Sequence, residues 1–174
     1  MRKFSDWEIG GANIISLEEY SAAIKDFGDN LRIVCTSGGF DPIHPGHISC
    51  IQQSSQYGDL VAVIVNGDSF LRRKKGKPFQ DLKTRCQIVS ALWGVNIVIP
   101  FEIENDDTVS KALEIIKPHV FTKGGDRKDP TSIPEWDTCQ RNNIEVIFGV
   151  GENKLWSSSN FLNDWGEFYL EQHR

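Results

Sequence analysis

A chain of 174 residues with 39% hydrophobic and 25% charged side chains has the length for one domain with a proper core and little room for a second, and it is read as a single domain over residues 1–174. No run of about 18 or more apolar residues is available to span a membrane, and the start of the chain, with Asp6, Glu8 and Gly10 after its first cations, lacks the apolar stretch of a secretory signal, so neither a membrane span nor export is expected. A net charge of −5 speaks against a chain built to grip nucleic acid, whose affinity comes from neutralised phosphates, yet leaves room for a small anion held by a local cluster of Lys and Arg.

Residues 1–13 carry no assignable pattern, and the first predicted element is an apolar run over 31–35, read as a buried strand ending in a Ser-Gly-Gly turn. A helix over 47–57, with Ile48 and Ile51 on its inner side and Cys50 beside them, is closed by Gly58-Asp59. A Val-rich strand over 60–65 ends at Asn66-Gly67-Asp68, and the run Arg72-Arg73-Lys74-Lys75-Gly76-Lys77 is placed in a loop after it. Asp81 caps a predicted helix through Leu92, followed by a strand over 96–100, a helix over 108–116 and a short strand over 120–122 before Gly124-Gly125. A helix over 134–142, a strand over 144–148 and a serine-capped helix over 158–171 complete the chain.

Strands alternating with helices, each strand a nearly continuous apolar run, predict an α/β fold with a parallel sheet covered on both faces. In such sheets ligands sit beyond the carboxyl ends of the strands, so the turns after Cys35, Val65, Thr122 and Phe148 are expected to converge on one site. Cys35, Cys50, Cys86 and Cys139 form no C-x-x-C pair and read as reduced structural thiols, which implies a cytoplasmic location. Trp7, Trp93, Trp136, Trp156 and Trp165 read as core or interface fillers, with Trp156 also placed to close over a base or sugar.

Residues 36–47, Thr-Ser-Gly-Gly-Phe-Asp-Pro-Ile-His-Pro-Gly-His, join the first strand to the first helix, where backbone amides and a helix start can face a phosphate. Gly38 and Gly39 permit close backbone approach, and His44 and His47, separated by Pro45-Gly46, can project to one side of a rigid turn. Each imidazole can donate to a phosphoryl oxygen, and donors that bind charge more tightly in the transition state of attack on an α-phosphate lower the barrier. A lone His would read as a loop histidine satisfied by a carbonyl; the paired arrangement between strand and helix reads as catalytic. At the end of the fourth strand, Gly124-Gly125 lets the backbone approach a base or ribose, and Asp126 can accept hydrogen bonds there; the bland alternative is a plain turn. Ser158 and Ser159 offer hydroxyl and amide donors at a helix start, suited to β- and γ-phosphates, although an ordinary serine cap accounts for one of them.

The segment resembles the H-x-G-H signature of the nucleotidyltransferase superfamily, which has a Rossmann-like fold and transfers AMP or CMP with release of pyrophosphate. Residues 15–19, 37–41, 65–69, 73–78 and 123–126 together are similar to the adenylyltransferase domain for D-glycero-D-manno-heptose 1-phosphate, over a core of about residues 14–162, and glycerol-3-phosphate cytidylyltransferases are similar too. The resemblance implies His44, His47 and Lys77 as catalytic residues. It implies a nucleotide site at Ser37, Gly38, Gly39, Phe40, Gly46, His47, Lys123, Gly124, Asp126, Ser158 and Ser159. Substrate contacts are implied at Asp41, Asn66, Lys77, Arg85 and Trp156, with Asp41 either orienting the substrate or supporting its loop. Arg85 has a bland alternative, an ion pair with Asp81 four residues earlier on the same helix, and the basic run has that of a solvated loop. Mg2+ is expected with the triphosphate and no ligand set of protein side chains is assigned to it.

The expected partners are ATP, or alternatively CTP, and a small phosphorylated substrate, with no nucleic acid and no membrane, in a homo-oligomer. Three functions compete: an adenylyltransferase acting on a sugar 1-phosphate, a cytidylyltransferase acting on a polyol or amino-alcohol phosphate, and a nucleotide-binding module without turnover.

Overall fold

The computed structural model describes residues 4–27, 30–125, 127, 129–152 and 157–173, without the side chains of residues 4, 5, 26 and 27. Among them lie six strands, β1 (Asn13–Ile14), β2 (Ile33–Gly38), β3 (Leu60–Asn66), β4 (Ile97–Phe101), β5 (Val120–Gly124) and β6 (Glu145–Val150). They form one sheet in the order β1-β4-β3-β2-β5-β6 with every pairing parallel, which is the α/β Rossmann-like arrangement. Seven α-helices accompany them: α1 (Leu17–Phe27), α2 (Pro45–Ser54), α3 (Asp68–Lys75), α4 (Leu82–Ser90), α5 (Ser110–Ile116), α6 (Trp136–Arg141) and α7 (Ser158–Gln172).

Successive strand residues point to opposite faces, so β3 divides its side chains between two cores. Ala62 and Ile64 pack with Tyr20 of α1, Leu113 of α5 and Cys139 of α6, whereas Val61, Val63 and Val65 pack with Ile51 of α2 and Cys86 and Val89 of α4. Burial on both faces explains why the strands read as unbroken apolar runs. From β2 the chain winds through β3 to β4 on one side, then returns through β5 to β6 on the other, so the direction of winding reverses between β2 and β5. That crevice, outside the strand ends, is where such sheets take ligands.

The structure adds three elements that the periodicity did not give, β1, α1 and α3. Strand β1 pairs with β4, and α1 opens with a reciprocal cap: Ser16 N donates to Glu19 Oε2 at 2.7 Å and Glu19 N to Ser16 Oγ at 3.0 Å. Ahead of them Trp7 is buried in the second core, while Trp93 and Trp165, expected as fillers, are 73% and 64% exposed. The basic run is corrected from loop to helix, since Arg72 to Lys75 form the last turn of α3, where cations complement the negative end of the helix dipole and Gly76, at φ 87°, closes it. The four cysteines are buried and unbridged, and burial raises the thiols of Cys35, Cys86 and Cys139, the last two to about 12 and about 11. No helix among the described residues is long and apolar enough to cross a membrane.

Candidate active site

Helix α2 starts at Pro45, whose fixed φ suits the first helical position, and His44 is its cap. His47 N donates to His44 O at 2.9 Å and lies 3.4 Å from His44 Nδ1, which engages Nδ1 as an acceptor and leaves the proton of a neutral His44 ring on Nε2. The imidazoles of His44 and His47 stack with centroids 3.7 Å apart and planes 20° apart. Gly46 makes this possible, because a Cβ there would meet the His44 ring at 3.2 Å. Phe40, held at φ 51°, sets its ring edge-on against His47 at 5.1 Å. Strand end, turn and helix start thus deliver two ring nitrogens to one side, as their spacing predicts.

The rings open onto a cavity of about 590 Å³ over the crevice between β2 and β5. Ser37, Gly38, Gly39, Phe40, Asp41, His44, Gly46, His47, Asn66, Lys123, Gly124, Ser158 and Ser159 all contribute to its wall. Lys123, at the end of β5, crosses the crevice to bring Nζ 3.3 Å from Ser37 Oγ at the end of β2. Its other neighbour is Glu135, a buried carboxylate just before α6 that also lines the cavity and was not anticipated; Oε2 lies 3.3 Å from Lys123 Nζ without hydrogen-bond geometry, and Oε1 accepts from Val109 N at 3.2 Å. Burial holds the Lys123 ammonium below the ordinary lysine range, with the Glu135 charge working the other way. Only the three-dimensional approach of residues 123 and 135 reveals this pair; the sequence signal for Glu135 is no more than an acidic residue ahead of a short helix.

Asp41 supports the loop. Its buried carboxylate accepts from Phe79 N at 2.8 Å and Gln80 N at 2.7 Å and pairs with Lys75 Nζ at 3.4 Å. Ser158 Oγ donates to Pro42 O at 2.8 Å, tying the start of α7 to the same loop, and the cap of α7 is Ser157, which makes no side-chain cap bond. From α3 the cavity receives Phe70, Leu71, Arg73, Lys74 and Lys75, while Lys77 is exposed beyond Gly76 and stands outside the wall. Arg85 is likewise separated from it. The side chain is fully buried, and it donates to Gln80 O at 3.0 Å, Gly39 O at 2.8 Å, Asn66 O at 2.6 Å and Asp68 Oδ1 at 2.7 Å. Its ion pair is with Asp68, not Asp81, because the inner face of α4 turns it towards the carbonyl ends of β2 and β3; Asp81 instead caps α4 through Thr84 N. Asp126 and Trp156 lie outside the described residues.

Stacked imidazoles at a helix start, cations on two sides and a cavity at the reversal of winding thus come together on a Rossmann-like sheet, at the place where such sheets take ligands. The chain belongs to the cytidylyltransferase-like family, a family of nucleotidyltransferase type, whose model matches residues 35–161. It is 40% identical over 117 residues to the bifunctional protein HldE of Methylococcus capsulatus, covering 66% of this chain and 24% of that protein. It is 36% identical over 146 residues to the HldE of Sulfurimonas denitrificans, covering 82% of this chain and 30% of that one. The chain therefore spans 24% to 30% of the length of these relatives. Among solved structures it is similar to a lipopolysaccharide core biosynthesis protein from Thermoplasma volcanium, with a TM-score of 0.60 and 26% identity over 71% of this chain and all of that one. A pantoate-beta-alanine ligase from Francisella tularensis shares the fold at 16% identity and a TM-score of 0.62, covering 87% of this chain and 73% of that one.

Proposed function

We propose that the chain transfers AMP from ATP to a sugar 1-phosphate of the heptose type and releases pyrophosphate. The observation that carries this reading is the stacked His44–His47 pair at the start of α2, facing a cavity that also receives Lys74, Lys75 and Lys123. A phosphate oxygen of the acceptor attacks the α-phosphorus, a new P–O bond forms, and the bond from the α-phosphorus to the bridging oxygen of the β-phosphate breaks, so that pyrophosphate leaves with the electron pair. Negative charge grows on the bridging and non-bridging oxygens, where imidazole N–H groups already in place bind it more tightly than in the ground state. The lysines offset the charge of two anionic reactants. Ser158 and Ser159 are assigned to the outer phosphates, and the end of β5 at Gly124 to the base or ribose.

Mg2+ is proposed to enter as part of the substrate, held by triphosphate oxygens. The choice of ATP and a heptose-type acceptor is supported by the similarity to HldE proteins and by the Lys-Gly-Gly-Asp sequence at residues 123–126. The family's cytidylyltransferase-like character favours a second reading, CMP transfer from CTP to a polyol or amino-alcohol phosphate. Pyrophosphate release with ATP and CTP, each offered heptose 1-phosphate and glycerol 3-phosphate with Mg2+, separates them. Release with ATP and the sugar phosphate is expected, release only with CTP moves the chain to the second reading, and release in no combination sinks both.

A further inference from the structure

Helix α3 brings cations to the cavity, yet it is poorly suited to stand by itself. It has eight residues, below the length at which a helix is stable in water, and its last four are Arg72, Arg73, Lys74 and Lys75, which repel one another. Its cap position is Gly67, which has no side chain to satisfy the first amides. The missing cap comes from 34 residues away. Glu102, the first residue after β4, accepts from Asp68 N at 2.6 Å and from Ser69 N at 3.0 Å, and Ser69 Oγ bonds the same carboxylate. Gly67 N donates to Phe101 O at 2.8 Å, and Ser69 Oγ also approaches Ile103 O at 3.0 Å. Further along, Arg73 Nε donates to Asp107 Oδ1 at 2.7 Å and Arg73 Nη2 to Asp106 O at 3.0 Å. The β4–α5 connection therefore grips α3 near both ends.

Glu102 does not line the phosphate cavity. It faces a separate cleft of about 600 Å³ at the start of α3, with Trp7, Glu18, Asp68 and Asp81, so its link to the site runs through the helix it caps. Gly67 is what lets the carboxylate in: a Cβ at that position would sit 2.3 Å from Glu102 Oε2, although the backbone there, φ −67° and ψ 174°, is open to any residue.

We infer that Glu102 is a positioning residue for the transfer reaction, acting through α3 to hold Lys74 and Lys75 at the wall where the pyrophosphate portion of the triphosphate lies. This rests on the nucleotidyltransferase reading. Loss of the carboxylate releases the start of the helix, and the cations at its other end no longer meet the anion in a fixed geometry.

The test compares wild type with Glu102→Ala, Glu102→Gln and Gly67→Ala. The last variant displaces the Glu102 carboxylate while leaving that side chain in the sequence. Calorimetric binding of inorganic pyrophosphate with Mg2+, KM for the triphosphate, kcat and the melting temperature are measured for each. Glu102→Ala and Gly67→Ala are expected to weaken pyrophosphate binding and raise the triphosphate KM by about fivefold to tenfold, the scale set by a charged helix cap, with kcat changed less. Glu102→Gln, which keeps an acceptor, falls between them and wild type. A lower melting temperature with unchanged pyrophosphate affinity and KM overturns the inference and leaves Glu102 as a structural cap only. If wild type turns over and the variants bind pyrophosphate as tightly as it does, this inference alone fails. If wild type binds neither pyrophosphate nor any triphosphate, the nucleotidyltransferase reading fails and this one goes with it.

Discussion

Arg85, fully buried, and Lys123, partly buried, are both cations at the carboxyl edge of the sheet, one between β2 and β3, the other between β2 and β5. Arg85 is fully enclosed and spends its donors on three backbone carbonyls and Asp68 at 2.6–3.0 Å. Lys123 meets Ser37 and Glu135 at 3.3 Å and lines the cavity. The first cation is consumed by the fold, because each nitrogen of its guanidinium already donates to a backbone carbonyl or to Asp68. The second is held desolvated where the winding reverses, with contacts long enough to be improved by a ligand. Position at a strand end is thus not enough to assign a functional role; the quality of the existing partners decides it.

The sharpest way to break this contrast is Arg85→Ala. It strands the Asp68 carboxylate and the carbonyls of Gly39, Asn66 and Gln80, and is expected to cost about 3–5 kcal/mol of stability in urea unfolding, with activity lost in proportion to the unfolded fraction. A stable variant with a specific defect in substrate KM would return Arg85 to the site. Lys123→Gln is expected to do the reverse, keeping most of the stability while raising the triphosphate KM about tenfold, on the scale of a charge-assisted hydrogen bond; an unchanged KM would remove Lys123 from the nucleotide site.

The alkaline stability of the same pair of proteins sharpens the point. Burial, the larger cause, lowers the folded pKa of Lys123 beneath its ordinary 10.5 while Glu135 opposes the shift, so between the folded value and 10.5 the unfolded chain binds the extra proton. Stability from this group therefore rises with pH across that window. Wild type should gain on Lys123→Gln as pH climbs towards 10.5, and parallel stability curves would contradict the burial. The smallest effect is expected for Lys77→Ala. Exposed and outside the cavity wall, Lys77 should change kcat and KM by no more than about twofold, as for a surface charge, and a tenfold loss would show that the turn after Gly76 folds over the ligand.

What the sequence made legible follows from how local each signal is. Residues 36–47 carry their own turn and histidine spacing within one stretch, so the projection of His44 and His47 to one side follows from short-range geometry, whereas α2 starts at Pro45, two residues before the predicted start, and the stacking of the rings was not foreseen. Strands β2 to β5 were legible as apolar runs because both faces are covered. Helix α1 was missed although Ser16 and Glu19 spell a capping box, its apolar positions Leu17, Tyr20 and Ile24 being a sparse stripe. Helix α3 was missed because what stabilises it, Glu102 and Asp107, lies some thirty residues further on, and four adjacent cations without that partner read as loop. Glu135 escaped for the same reason, since its partners Val109 and Lys123 come from the β4–α5 connection and from the end of β5. Local chemistry was readable and long-range satisfaction was not.

The most direct test of the central claim is pyrophosphate release from ATP and heptose 1-phosphate with Mg2+, measured for wild type and for His47→Ala. The account predicts release by wild type and a turnover lower by about two to three powers of ten in the variant, with the fold intact, as for loss of a donor to the transition-state charge. Equal rates in the two proteins would contradict it.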